Sequence, residues 1–300
     1  MCTTAERSFF ERLDEQGVLV ADGATATNYQ AKGLEPGAPP EQWLFDAPEQ
    51  VLELHRAYVA AGADLILTCS FGGTRLRLSH SPMLTDRARE VNLRAAELAC
   101  EASAGHALVA GAMGPTGQLL EPLGPLERDE CAAAFAEQAE ALTAGGVDLL
   151  LIETFYDLAE ATAAIEGARS ASSLPLAVSF SFDTGRKTMM GLSPAAAVSA
   201  LATFGVAAVG ANCGDSLENA DAIVQELLAA AEDIPVWVKP KAGLPRLDGC
   251  DFVYDVDPET LASHACRYVD MGARIVGGCC GSTPAHVEAI SRALGRETVE

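Results

Sequence analysis

Arg274-Ile275-Val276-Gly277-Gly278-Cys279-Cys280-Gly281-Ser282-Thr283-Pro284 holds a whole strand-to-helix passage. A short apolar strand runs into glycines and two adjacent cysteines, and a Ser-Thr-Pro helix start follows. Neighbouring side chains on a regular strand point to opposite faces, so two adjacent sulfurs serve one site only where the chain leaves that geometry. The flanking glycines permit the departure. A third sulfur lies in Gly210-Ala211-Asn212-Cys213-Gly214, again past an apolar run. Three thiolates from two strand ends make a zinc site with one open position, the catalytic arrangement. The same residues are compatible with buried small hydrophobes, a vicinal disulfide, or a structural zinc site with a fourth protein ligand. No CxxC pair favours the last of these.

Working outward, the same passage recurs along the chain. Apolar runs at 18–21, 64–68, 107–110, 147–152, 176–182, 206–209 and 236–238 precede the one at 275–276. A first amphipathic helix is expected at 5–15. Helical patterns at 49–61, 85–103, 128–144, 157–170, 193–204, 218–231, 258–271 and 284–294 alternate with the strands. Ser193-Pro194, Asp257-Pro258 and Thr283-Pro284 place a capping side chain before a helix-starting proline. Gly62, Gly105, Gly145 and Gly272 stand where helices end. Eight near-continuous apolar strands alternating with helices describe a parallel sheet buried on both faces. That count fits closure into a single-domain α/β fold, the (β/α)8 TIM barrel, with its core at about 16–296. An open doubly wound sheet is the alternative, but Asp22-Gly23-Ala24-Thr25-Ala26-Thr27 stands where its dinucleotide fingerprint would be. Residues 28–46 and 240–256 read as loops on the strand-end face.

Composition narrows the partners. The 300 residues carry a formal charge of −22, with four lysines among twenty basic residues. Nucleic acid and anionic membrane both demand a basic surface, so neither is expected. No run is long enough to span a bilayer, and residues 1–16 do not read as a signal peptide. Nine cysteines in such a chain point to reduced thiols and a cytoplasmic setting.

In a barrel of this kind chemistry sits where strands end. Asp22, Cys69, Glu153, Asp183, Asn212, Cys213, Lys239, Cys279 and Cys280 all fall there. Asp22 and Glu153 are the carboxylates expected inside, with loop anchoring as the other reading. Asp183 belongs equally to a turn, Asp183-Thr184-Gly185-Arg186. The five histidines are scattered, and none is assigned to the metal.

These marks together are similar to the homocysteine S-methyltransferase family, and within it to the homocysteine-binding domain of cobalamin-dependent methionine synthase. Gly277-Gly278-Cys279-Cys280-Gly281 and Asn212-Cys213 are the most specific. Asp22-Gly23-Ala24, Gly114-Pro115-Thr116-Gly117, Glu153-Thr154-Phe155, Phe182-Asp183-Thr184-Gly185-Arg186 and Ala242-Gly243-Leu244-Pro245 support them. The resemblance implies a (β/α)8 barrel with Zn²⁺ held by Cys213, Cys279 and Cys280, its fourth position taken by the substrate thiol. It implies that Asp22 and Glu153 hold the amino group of homocysteine, with backbone N–H groups near Gly23 and Ala24 taking the carboxylate. Two segments depart from the family pattern: Thr68-Cys69-Ser70-Phe71, and Lys241 before Ala242-Gly243.

The expected activity is zinc-dependent methylation of homocysteine to methionine. The donor is expected to arrive separately, as a methylcorrinoid carried by a partner protein or as a small methyl-onium compound. A free thiol has a pKa near ~8.5 and only its thiolate is a good nucleophile, which is why a metal is needed. The competing readings are a non-catalytic thiol-binding zinc barrel, a methyltransferase for another thiol, and a redox barrel built on Cys279 and Cys280.

Overall fold

The computed structural model describes residues 8–248 and 251–296. Its strands are β1 (Leu19–Val20), β2 (Leu65–Leu67), β3 (Leu108–Met113), β4 (Leu149–Phe155), β5 (Leu176–Phe180), β6 (Ala208–Cys213), β7 (Val236–Pro240), the hairpin β8 (Arg246–Asp248) and β9 (Asp251–Val253), and β10 (Ile275–Val276). All but the hairpin form one parallel eight-stranded sheet in the order β1-β10-β7-β6-β5-β4-β3-β2. The ends meet. Asp22 N–H donates to Leu65 O at 2.9 Å and Asp64 N–H to Val20 O at 2.7 Å, which closes the ring. The expected (β/α)8 barrel is therefore the fold, and the open sheet is excluded.

Alternation along the strands divides the core in two. Val20, Ile66, Val109, Leu150, Val178, Val209, Val236 and Val276 face the surrounding helices. Leu19, Leu65, Leu108, Ala110, Leu149, Leu151, Ala177, Trp237 and Ile275 fill the barrel interior. The first helix, Phe9–Gln16, belongs to the interior cluster through Phe9 and Leu13, so it stoppers the end where the strands begin. Its start is fixed by a Ser8–Glu11 capping box. Its last turn is tied down by Arg274, which donates to Leu13 O at 2.9 Å and to Gly17 O.

Several boundaries differ from the sequence reading. Helix 85–103 begins at Ala88, and helix 193–204 is Pro194–Leu201 followed by a 3-10 turn at Ala202–Phe204. The stretch 28–46 is not all loop: it includes part of the helix Ala26–Ala31, a 3-10 turn at Pro40–Gln42 and the helix Trp43–Asp46. The stretch 240–256 contains the β8–β9 hairpin. One-turn helices and the short β8 and β9 strands span little more than one period, too few residues for a repeat to register. The expected helix-ending Gly145 has an ordinary helical φ of −76°, and Gly146 takes the positive φ. Gly145 is instead constrained by space, since a Cβ there would meet Ala96 and Leu93. No helix among the described residues is long and apolar enough to cross a membrane.

Candidate metal and substrate site

The sulfurs of Cys213, Cys279 and Cys280 all lie within 4.8 Å of one another. Cys213 Sγ is 2.9 Å from Cys279 Sγ and 4.0 Å from Cys280 Sγ. All three are free thiols, as are Cys69, Cys100, Cys131 and Cys266; Cys2 and Cys250 lie outside the described residues. Among the described residues no fourth His, Cys, Asp or Glu joins the group. Tetrahedral zinc with Zn–S bonds near 2.3 Å needs sulfurs about 3.8 Å apart. The observed spacings bracket that value within an ångström, and three soft ligands suit zinc. The residues present fit the ion.

Local backbone geometry brings the sulfurs together. On a regular β6, Cys213 would share the helix-facing side with Val209 and Ala211. Its φ of 60° breaks that alternation at the last residue of the strand. The glycines around Cys279 and Cys280 act differently from expectation. Only Gly281 has a positive φ, 82°. Gly277 is required by close approach, since a Cβ there would sit 2.7 Å from Ala21 O and 2.8 Å from Asp22 O.

Asn212 holds this corner, a role the sequence did not reveal. Its Oδ1 accepts from Thr154 N–H at 3.0 Å and from Ser179 Oγ at 2.5 Å, while its Nδ2 donates to Thr154 Oγ1 at 2.6 Å. The same Nδ2 lies 3.8 Å from Cys213 Sγ and 3.9 Å from Cys279 Sγ. Thr154 itself has φ 65°, unusual for a β-branched residue, at a register irregularity between Ile152 and Phe155. That irregularity lets Glu153 continue the interior face of Leu149 and Leu151 while Phe155 packs outward. Bulges beside sites re-aim side chains in this way.

The sulfurs line one end of a cavity of about 680 Å³, together with Gly23, Ala24, Cys69, Glu153 and Lys239. Glu153 is buried with no hydrogen-bond partner among the described residues, and burial pushes its carboxyl up to about 8. Asp22 does not line the cavity. Its Oδ2 accepts from Leu67 N–H at 2.7 Å and its Oδ1 from Lys239 Nζ at 2.6 Å. Burial opposes the charge on Lys239, but Asp22 and Glu153 outweigh it and raise its pKa. Ala24 N–H is occupied too, donating to Ser282 Oγ at 3.2 Å, and Tyr58 and Asn28 both donate to Ala24 O. Asp183 is exposed and bonded to Ser181, outside the cavity lining.

The two departures are also placed. Cys69 is a buried thiol on the cavity wall, pushed well up by burial and outside the sulfur group. Lys241 stands close enough to Cys280 to favour its thiolate. Hydrogen bonds from Cys213 and Cys279 favour it more strongly, which holds the Cys280 thiol below its ordinary range while those two are pushed up. Glu41, from the misread 28–46 stretch, reaches the cavity and accepts from Gly72 N–H at 2.6 Å.

Methionine synthase of Mycobacterium leprae is 33% identical across 94% of this chain, and that of Mycobacterium tuberculosis 32% across 97%. The chain spans about a quarter of the length of those relatives. The crystal structure of the metallated form of the homocysteine methyltransferase MmuM from Escherichia coli superposes with a TM-score of 0.79 at 28% identity. It covers 94% of this chain and 98% of its own. The family model for homocysteine S-methyltransferase matches residues 19–294. With the barrel closed and the three sulfurs converging at its strand ends, the chain belongs to the homocysteine S-methyltransferase family.

Proposed function

We propose that this barrel is a zinc-dependent S-methyltransferase that converts homocysteine to methionine, with Cys213, Cys279 and Cys280 as the metal ligands. The observation that carries the reading is the convergence of three free sulfurs on a cavity that also holds an unpartnered buried carboxylate. Held by these three residues, Zn²⁺ would supply the Lewis acidity that favours the substrate's thiolate at neutral pH. The protein's own residues orient and enclose. Asn212 fixes Cys213 relative to Thr154, so the ligand set is held before the substrate arrives. Glu153 faces the cavity and takes the substrate ammonium, whose charge favours the ionised carboxylate that burial opposes. The apolar wall excludes water and sets the sulfur against an incoming methyl group, which is a matter of alignment rather than proton transfer.

Residues from the 25–41 and 71–81 segments also line the cavity, which leaves space for a donor beside the substrate. The resemblance to the cobalamin-dependent type, carried by the 114–124 and 239–245 segments, favours a methylated corrinoid protein. A small methyl-onium donor is the second reading. The test is metal content together with methylation of homocysteine, using methylcobalamin and S-methylmethionine as alternative donors. About one zinc per chain and methionine from one donor are expected, and Cys279→Ala should lower activity by more than about 100-fold. Zinc-loaded protein that methylates homocysteine with neither donor overturns the reading.

A further inference from the structure

Lys239, which the family reading does not use, forms a buried pair with Asp22. Lys239 continues the interior face of β7 two residues after Trp237 and stands opposite Asn212 in the β6–β7 register. Its side chain is 5% exposed, and its single bonded partner is Asp22 Oδ1 at 2.6 Å. An ammonium carries three donors, so two remain, and the group lines the cavity. Glu153 lines the same cavity, yet neither of its oxygens comes within the 4.0 Å of Lys239 Nζ that would make an ion pair. One ammonium and one carboxyl group therefore face a shared space without touching, and a bound substrate ammonium draws that carboxyl into its ionised form. Asp22 is withdrawn from that space, with both oxygens bonded inside the protein.

We infer that Lys239 binds the α-carboxylate of the thiol substrate while Glu153 binds its α-ammonium, and that Asp22 is a positioning residue acting through Lys239. The inference rests on the homocysteine reading and changes how that substrate is recognised. A zwitterionic amino acid matches a separated pair of opposite charges, and a buried donor left unpaired penalises a ligand lacking its partner. Of the two N–H groups expected to take the carboxylate, that of Ala24 is satisfied by Ser282, and Lys239 adds a charged donor on the same cavity wall. The pocket should therefore read both charged groups and discriminate against thiols missing either one.

The test compares three ligands on zinc-loaded protein by titration calorimetry: homocysteine, 4-mercaptobutanoate, which lacks the ammonium, and 3-aminopropanethiol, which lacks the carboxylate. Native protein should bind homocysteine at least about tenfold more tightly than either analogue. Lys239→Met should weaken homocysteine and 4-mercaptobutanoate by about tenfold or more and leave 3-aminopropanethiol within about threefold. Glu153→Gln should give the reverse pattern. If Lys239→Met does not fold because Asp22 is stranded, the double variant Asp22→Asn/Lys239→Met carries the same comparison with the charge removed in pairs. An equal loss for all three ligands, or none, overturns the inference and leaves the homocysteine reading standing. Native protein that binds none of the three removes both.

Discussion

At the foot of the barrel Leu19, Leu65, Leu108 and Leu149 meet Phe9 and Leu13 in a sealed apolar plug. At the head the same closed sheet ends in Glu153, Lys239 and three sulfurs around a cavity, with Asn212 beside the sulfurs. The foot keeps every rule of burial: alternation is regular and the entering helix is capped. The head breaks them, with positive φ at Thr154 and Cys213, a register irregularity in β4, and charges buried beside thiols. Strain and buried charge persist only where surrounding structure over-determines them. The plugged foot and the outer shell of helices provide that surrounding. The comparison teaches that stability and chemistry are assigned to opposite ends of one set of strands.

That division can be broken by mutation. Phe9→Ala should cost about 3–5 kcal/mol in denaturant unfolding, the usual loss for a buried phenylalanine, with zinc content unchanged. A loss of zinc alongside would show that the ends are coupled. At the head the effect should run the other way. Glu153 titrates near 8 in the fold against an ordinary 4.5, mainly through burial. Between those values the folded state holds more protons than the unfolded chain, so stability falls as pH rises from about 4.5 to 8 and then levels. The upper limit is about 5 kcal/mol, and roughly half is expected because the cavity opens to water. Glu153→Gln should flatten that slope and make the variant more stable than the native protein at pH 8; a parallel slope in both proteins sinks the assignment.

Smaller effects sharpen the contrast. Asn212→Ala should weaken zinc binding by about 10- to 100-fold, or roughly 1.4–2.7 kcal/mol, as loss of a group that orients metal ligands does. Competition against a chelator reads this directly, and unchanged affinity would reduce Asn212 to a strand-pairing role. The smallest change should come from Phe10→Ala, next to the stopper but largely exposed, at about 0.5 kcal/mol. Comparable costs at Phe9 and Phe10 would remove the plug as the reason for the difference.

Much of this was legible in the chain. Eight apolar runs separated by helical patterns leave few ways to bury both faces of a parallel sheet, so the barrel followed from counting. The three cysteines were legible because each followed such a run. Lys239 carried a signal as well: it is one of four lysines and falls two residues after Trp237 on an apolar strand, where alternation puts it inside.

Contacts between distant strands settled the rest. That Asp22 turns away from the cavity, that Ser282 occupies Ala24 N–H, and that Asn212 ties β4 to the sulfurs all depend on pairings more than thirty residues apart. Periodicity along one strand says which face a residue takes, because that depends on local backbone geometry alone. Which group meets it across the ring depends on how the sheet closes, and only the folded barrel fixes that.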